Sequence, residues 1–293
     1  MLEKPNKALV LAVGNACIHA ITLDSNRWTI ESSLGSWSGE RIEEAPDILE
    51  YVKQAVIAAG RARPARIVIT ESRLMAQESK AGLGSSAAVT VAVVRALMPE
   101  ASNETVYRIA YKAHSRAQGG VGSGFDVAAS AYGATIVYER PSSLDSGDHV
   151  IMPVGLPRGL YIRAYNIRGS YTRTSVSARR VMEAVRRDAR AREVFDELAT
   201  VNNKLVELLA SGRLDDAMPL FDEANRLRRL LGELSDVPIE PVELDPIRRR
   251  FEDEGFKTVL PGAGGYDMLV VVGLKPVPDY SIPGLEPLDT IIL

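Results

Sequence analysis

A single cysteine, Cys17, in 293 residues leaves this chain nothing to staple. A disulfide framework or a cysteine-based zinc cluster needs several, so both are excluded. No apolar run approaches the roughly 20 residues that a membrane-spanning helix requires. The first residues also lack the charged-then-apolar form of a secretory signal, and a cytoplasmic protein is therefore expected. A large excess of charge of one sign is missing too. Thirty-five basic against 38 acidic residues give a net charge of −3, which removes the basic footprint expected of a nucleic-acid partner. Three histidines, His19, His114 and His149, lack the i, i+4 spacing of a helical metal site and read as ordinary helix or surface residues. No Gly-x-Ser-x-Gly elbow supports a serine hydrolase, and no Gly-Lys-Ser/Thr supports a Walker A loop. A nicotinamide oxidoreductase is disfavoured because no glycine cluster sits at a Rossmann strand–helix turn with an acidic residue downstream. Lysine is scarce as well, at 8 against 27 arginines, a bias that fits a thermophilic or GC-rich source and says little about function.

What remains is an ordinary globular composition, 46% apolar and 25% charged, in a chain long enough for two domains. Strand-like runs open it at KALVLAVG, CIHAITLD and RWTIESS. A helix is expected over residues 46–59, a strand over 67–71, and an apolar helix from Ser86 to Leu97. Asn103 is placed to cap the next helix, which runs toward Gln118. A short helix from Phe125 and a strand ATIVYER follow. Proline and glycine cluster at 153–159, predicting domains over 1–155 and 156–293. The second half offers a strand, YIRAYNI. Three helices follow, with apolar stripes through Val181 and Val185, Val194 to Leu208, and Leu220 to Leu231. Their arginine-rich opposite faces read as solvated surface, as do Arg248–Arg250, for which a phosphate-facing role is the alternative. Strands KTVLP, YDMLVVVG and LDTIIL close an α+β pattern.

Three glycine clusters exceed what turns alone require. In KAGLGSSAAVTVAVVRAL the cluster opens a helix that is apolar on nearly every face. Helix N-termini carry unpaired N–H groups and a partial positive charge, and glycine lets an anion approach the backbone. Gly82 and Gly84 clear the approach, Ser85 and Ser86 supply hydroxyls, and Lys80 adds a mobile charge. This reads as a place to hold a nucleotide triphosphate, the alternative being a plain link between strand and helix. In AHSRAQGGVGSGFDVAASAYG the second cluster leads into Asp126, which reads either as a helix cap or as a catalytic carboxylate. The third, in TVLPGAGGYDMLVVV, lies between two strands and serves either a hairpin or a ligand. Lys7, before the first strand, carries little signal alone.

Taken together, PNKALVLAVG, KAGLGSSAA and PGAGGYD, in that order across nearly the whole chain, resemble the GHMP kinase family. The family takes its name from galacto-, homoserine, mevalonate and phosphomevalonate kinases. AHSRAQGGVGSGFDVAASAYG, the lysine before GLGSSA, the tyrosine in GAGGYD and PIEP (Pro238 to Pro241) resemble the branch whose acceptor is itself a phosphate. The resemblance implies an N-terminal ribosomal-protein-S5-like domain with a left-handed βαβ crossover and a C-terminal ferredoxin-like domain. It implies ATP bound by Lys80, Gly82, Leu83, Gly84, Ser85 and Ser86, with magnesium on the Ser86 hydroxyl. Asp126 matches the catalytic aspartate, and Lys7 the lysine held beside it. Ser123, Gly124 and the loop Gly262, Ala263, Gly264, Gly265 and Asp267 would shape the acceptor site, with Ser170 and Thr174 loosely matching a further element there.

The implied acceptor is the small molecule 5-phosphomevalonate. Mevalonate, another small-molecule alcohol, or a catalytically silent metabolite-binding role stand as the alternatives. A homodimer is left open. Two departures are visible. Val13-Gly14-Asn15 stands where the branch has Gly-Gly-Tyr, and the glutamate that ligates magnesium in mevalonate kinases falls near Ser115, leaving the metal to Ser86, phosphates and water.

Overall fold

Alternation builds the first sheet. Along β5 (Ala65–Glu71), Ala65, Ile67 and Ile69 point inward while Arg66 and Thr70 face solvent, the period-2 pattern of a half-buried strand. The computed structural model describes residues 6–72, 83–120, 122–143, 146–168 and 178–293. Within it β5 pairs antiparallel with β2 (Ile18–Asp24) and parallel with β3 (Trp28–Ser32). β3 also forms a hairpin with β4 (Gly35–Gly39), so the sheet order is β2-β5-β3-β4. The parallel β3–β5 pair needs a crossover, and α1 (Glu50–Ala59) lies within that connection.

Against this sheet packs α2 (Ser85–Leu97), and α3 (Asn103–Ala117) and α4 (Phe125–Tyr132) pack in turn on α2, around a core that includes Ile30, Ile67, Val93, Val94, Val106 and Ala128. A smaller sheet, in the order β1-β6-β7, is formed by β1 (Lys7–Val10), β6 (Ile136–Glu139) and β7 (Val150–Pro153). Ser102 caps α3, its hydroxyl accepting from the Thr105 N–H at 3.2 Å. The expected cap, Asn103, is the first helical residue instead, and its side chain accepts from Arg95.

The chain divides into two compact units. One comprises Leu9–Val154 with Ile291–Leu293, and the other comprises Gly155–Thr290 with Asn6, Lys7 and Ala8. In the second unit β8 (Tyr161–Ile167), β9 (Lys257–Val259), β10 (Met268–Gly273) and β11 (Leu285–Pro287) make an antiparallel sheet in the order β11-β8-β10-β9. Its core gathers Tyr165, Phe251, Phe256, Leu269 and Val271. Helices α5 (Ala178–Arg187), α6 (Ala189–Ala210) and α7 (Leu214–Ser235) bury Val181, Val185, Val194, Leu227 and Leu231 along the expected stripes. α8 (Asp245–Glu252) completes the unit.

Two further expectations fail here. LDTIIL is not a continuous strand. β11 lies upstream at Leu285–Pro287, and Ile292 makes an isolated bridge with Val13. Arg248 is not solvated surface, being 5% exposed and paired with Glu240. Among the described residues no helix is long and apolar enough to cross a membrane.

Candidate active site

Three chain segments of the first unit meet at one place. Gly84 adopts a left-handed conformation (φ 72°) that a residue with a side chain resists, and it forms the N-cap of α2 with no side-chain cap bond. The Ala88 N–H donates to the Gly84 carbonyl, so the N–H groups of the first turn, from Ser85 onward, have no intrahelical acceptor. No acidic residue occupies this turn, leaving the positive end of the helix uncompensated by its own sequence. Ser86 does not cap the helix. Its hydroxyl lies 3.1 Å from His114 Nε2, a side chain from the last turn of α3.

Asp126 is the second residue of α4, and the cap position belongs to Gly124 (φ 80°). The simple capping explanation of Asp126 therefore does not hold; its Oδ1 accepts only from the adjacent Val127 N–H at 2.9 Å among the bonds of its own helix. A Cβ built on Gly84 would stand 3.5 Å from the Asp126 Cβ. Gly84 and Asp126, 42 positions apart in sequence, are thus near neighbours in space.

The electrostatics of this cluster centre on His114, which is 2% exposed. Burial pushes its imidazole below the ordinary histidine range, against a smaller opposing pull from the Asp126 carboxylate. A neutral ring can accept from the Ser86 hydroxyl, leaving the oxygen lone pairs free for a cation. That donor chemistry fits magnesium arriving with phosphates, since the ion keeps most of its own water and takes few protein ligands.

The second glycine turn is held from beneath by tyrosines. Tyr138 donates to the Ser123 carbonyl at 2.7 Å, and Tyr107, 3.0 Å away, donates in turn to Tyr138. Burial raises both phenols far above their ordinary range, so they remain donors at every physiological pH. A Cβ on Gly124 would fall 2.6 Å from the Tyr111 ring, so the turn admits glycine alone.

Val13-Gly14-Asn15 has a different task from the expected Gly-Gly-Tyr. The Gly14 N–H donates to the Ile291 carbonyl at 2.7 Å, and Asn15 Oδ1 accepts from the Ile291 N–H at 2.9 Å. A Cβ on Gly14 would strike the Leu293 side chain at 2.8 Å.

Apart from Leu83 and Ser85, the remaining candidates lie in the second unit or outside the described residues. Lys7 Nζ is paired with Glu207 Oε1 at 2.5 Å, and its backbone is held by Asn202 and Asn203 of α6. Gly262, Ala263 and Asp267 are exposed, Gly264 is half-buried and Gly265 buried, in the loop between β9 and β10. Leu83 and Ser85 flank Gly84 and are half-buried. Lys80, Gly82, Ser170 and Thr174 lie outside the described residues.

His114 and the tyrosine pair are the residues that motif reading passed over. Tyr107, Ala110, Tyr111 and His114 follow i, i+3, i+4, i+7 spacing on α3, a periodicity that marks His114 as inward-facing.

A glycine-capped helix N-terminus beside Asp126, on this α+β architecture, is a candidate anion site. Residues 48–134 match the GHMP kinases N terminal domain. The chain is 32% identical over 267 residues to a phosphomevalonate kinase of Aspergillus fumigatus, covering 73% of this chain and 54% of that protein. It is 28% identical over 200 residues to a phosphomevalonate kinase of Saccharolobus solfataricus, covering 66% and 61%. The chain thus spans little more than half the length of these curated relatives. The fold matches that of Streptococcus pneumoniae phosphomevalonate kinase, solved with phosphomevalonate and AMPPNP, at a TM-score of 0.70 and 19% identity, covering 92% of this chain and 91% of that one.

Proposed function

We propose that this chain transfers the γ-phosphoryl group of ATP to the phosphate of 5-phosphomevalonate, giving 5-diphosphomevalonate and ADP. The observation that carries the reading is the approach of Gly84 to Asp126 at the N-terminus of α2, with Ser86 one residue inside the helix. The similarity to curated phosphomevalonate kinases supports the choice of acceptor.

Phosphoryl transfer asks a protein mainly for positioning and charge stabilisation. Here two polyanions must be brought together. The N–H groups of the α2 first turn, with Lys80 and the glycines Gly82 and Gly84, would cradle the nucleotide phosphates. Ser86 would hold magnesium, which when bound neutralises phosphate charge. A phosphate monoester loses its second proton near pH 6, so the attacking oxygen is mostly ionised at neutral pH and no strong base is required. Asp126 is then an orienting group first and a proton acceptor second. Lys7 would exchange Glu207 for an acceptor oxygen, and Ser123, Gly124, Ser170, Thr174 and the Gly262–Asp267 loop would frame the acceptor.

We further assign the protein to the cytoplasm, a reading that rests on its single cysteine and that cell fractionation tests. ADP release measured side by side with 5-phosphomevalonate and mevalonate tests the activity. Faster turnover of phosphomevalonate is expected, and equal or faster turnover of mevalonate overturns the assignment.

A further inference from the structure

The loop between β9 and β10 rests on a buried ion-paired triad of Arg228, Glu240 and Arg248. Glu240, in the PIEP segment, has no exposed side-chain surface. Its Oε1 accepts from Arg228 Nε of α7 at 2.6 Å, and its Oε2 accepts from Arg248 Nη1 of α8 at 2.6 Å. Arg248 Nε also donates to Thr258 Oγ1 at 2.8 Å, tying the triad to β9. The remaining arm of Arg228 reaches the loop itself. Nη2 donates to the Leu260 carbonyl at 2.7 Å, and Nη1 lies 3.4 Å from the Gly262 carbonyl.

The backbone beside Glu240 grips the same loop. The Gly265 N–H donates to the Ile239 carbonyl at 3.1 Å, and a Cβ on Gly264 (φ 86°) would fall 2.1 Å from that carbonyl oxygen. A buried ion pair often adds little net stability, because desolvation offsets its attraction. Its geometric constraint is another matter, since a guanidinium with five fixed donors sets the distance between everything it touches. In this triad one guanidinium spans a buried carboxylate and the first carbonyls of a glycine loop.

We propose that Arg228, Glu240 and Arg248 are positioning residues that hold the Gly262–Asp267 loop in its acceptor-binding shape, an inference that rests on the acceptor role proposed for that loop. Arg228→Met removes the arm to the loop while leaving the Glu240–Arg248 pair intact, and so spares the more deeply buried half of the triad. Losing hydrogen bonds to a charged donor is expected to raise KM for 5-phosphomevalonate roughly tenfold or more. KM for ATP should change less than about twofold, because the nucleotide elements belong to the other unit. Arg228→Lys keeps the charge without the fork and should recover part of the loss.

The test pairs these kinetics with hydrogen–deuterium exchange of the full chain. Faster exchange of amides at 262–267 in Arg228→Met, with α2 and α4 unchanged, together with the selective rise in acceptor KM, supports the proposal. Unchanged exchange in the loop, or an equal rise in both KM values, overturns it. Faster loop exchange with an unchanged acceptor KM overturns the positioning role while leaving the kinase reading intact. A wild-type chain inactive on 5-phosphomevalonate overturns that kinase reading, and with it the role given to the triad.

Discussion

Gly84 separates a steric account of the nucleotide loop from a merely conformational one. Alanine at this position must enter the left-handed region, at a cost of about 1–2 kcal/mol. Its Cβ would meet the Asp126 Cβ at 3.5 Å, an ordinary contact. Gly84→Ala should therefore fold, with a midpoint lowered by roughly 2–8 °C for a unit of this size. Valine extends its reach by about 1.5 Å beyond that Cβ, which brings a methyl inside the roughly 3.5–4.0 Å contact distance of carbon atoms. Overpacking of this kind adds about 1–3 kcal/mol. The start of α4 must then retreat and carry Asp126 with it, or the valine must occupy the phosphate approach. Calorimetry with a non-hydrolysable ATP analogue reads the outcome, with circular dichroism as the control for folding. Gly84→Ala should keep measurable affinity and Gly84→Val should lose it while retaining its helices. Equal nucleotide affinity in wild type and Gly84→Val refutes the phosphate-loop assignment and leaves Gly82 and Gly84 as a turn.

Ser86→Ala and Lys80→Ala should each lower turnover at least about 30-fold in folded protein, the loss of one preorganised charge contact; near-normal rates in both overturn the nucleotide site. His114 is held below its ordinary value by burial, so the unfolded chain binds its proton first as pH falls. Stability tied to this group should be complete above about pH 6.5 and decline below it, by at most about 1.4 kcal/mol per pH unit. Urea titrations at pH 7.5 and pH 5 should show a smaller acid loss in His114→Asn than in wild type, and identical losses contradict a buried neutral ring. Asp126→Asn should slow turnover by about 10²-fold, the low end for loss of an acid–base group. The acid limb of its pH–rate profile should stay near the acceptor's second pKa of about 6; disappearance of that limb restores Asp126 as the base.

Much of the architecture was legible because burial is periodic. The stripes through Val181 and Val185 and through Leu227 and Leu231 predicted α5 and α7, and YIRAYNI predicted β8 to the residue. β4, with the sequence GSWSG, carries almost no apolar signal and is recognisable only through its pairing with β3. β7 pairs on one side only, with β6, and leaves Val150 and Met152 exposed, which blurs its alternation. At the site, glycine and local order marked Gly84 and Asp126, whereas the Ser86–His114 bond depends on two helices meeting across 28 positions. Arg248 shows the same limit. One turn of a helix reads as a run of charge, and only the arrival of Glu240 turns one of those arginines inward.

The most direct test of the account is the identity of the bond that is made. Phosphorus-31 NMR of the full chain incubated with magnesium, ATP and 5-phosphomevalonate should show loss of the monoester resonance and growth of a pair of coupled resonances from a new phosphate–phosphate linkage, in step with ADP. Appearance of ADP with the monoester resonance unchanged, or formation of a new monoester when mevalonate is the faster acceptor, contradicts a phosphate acceptor and the chemistry built on it.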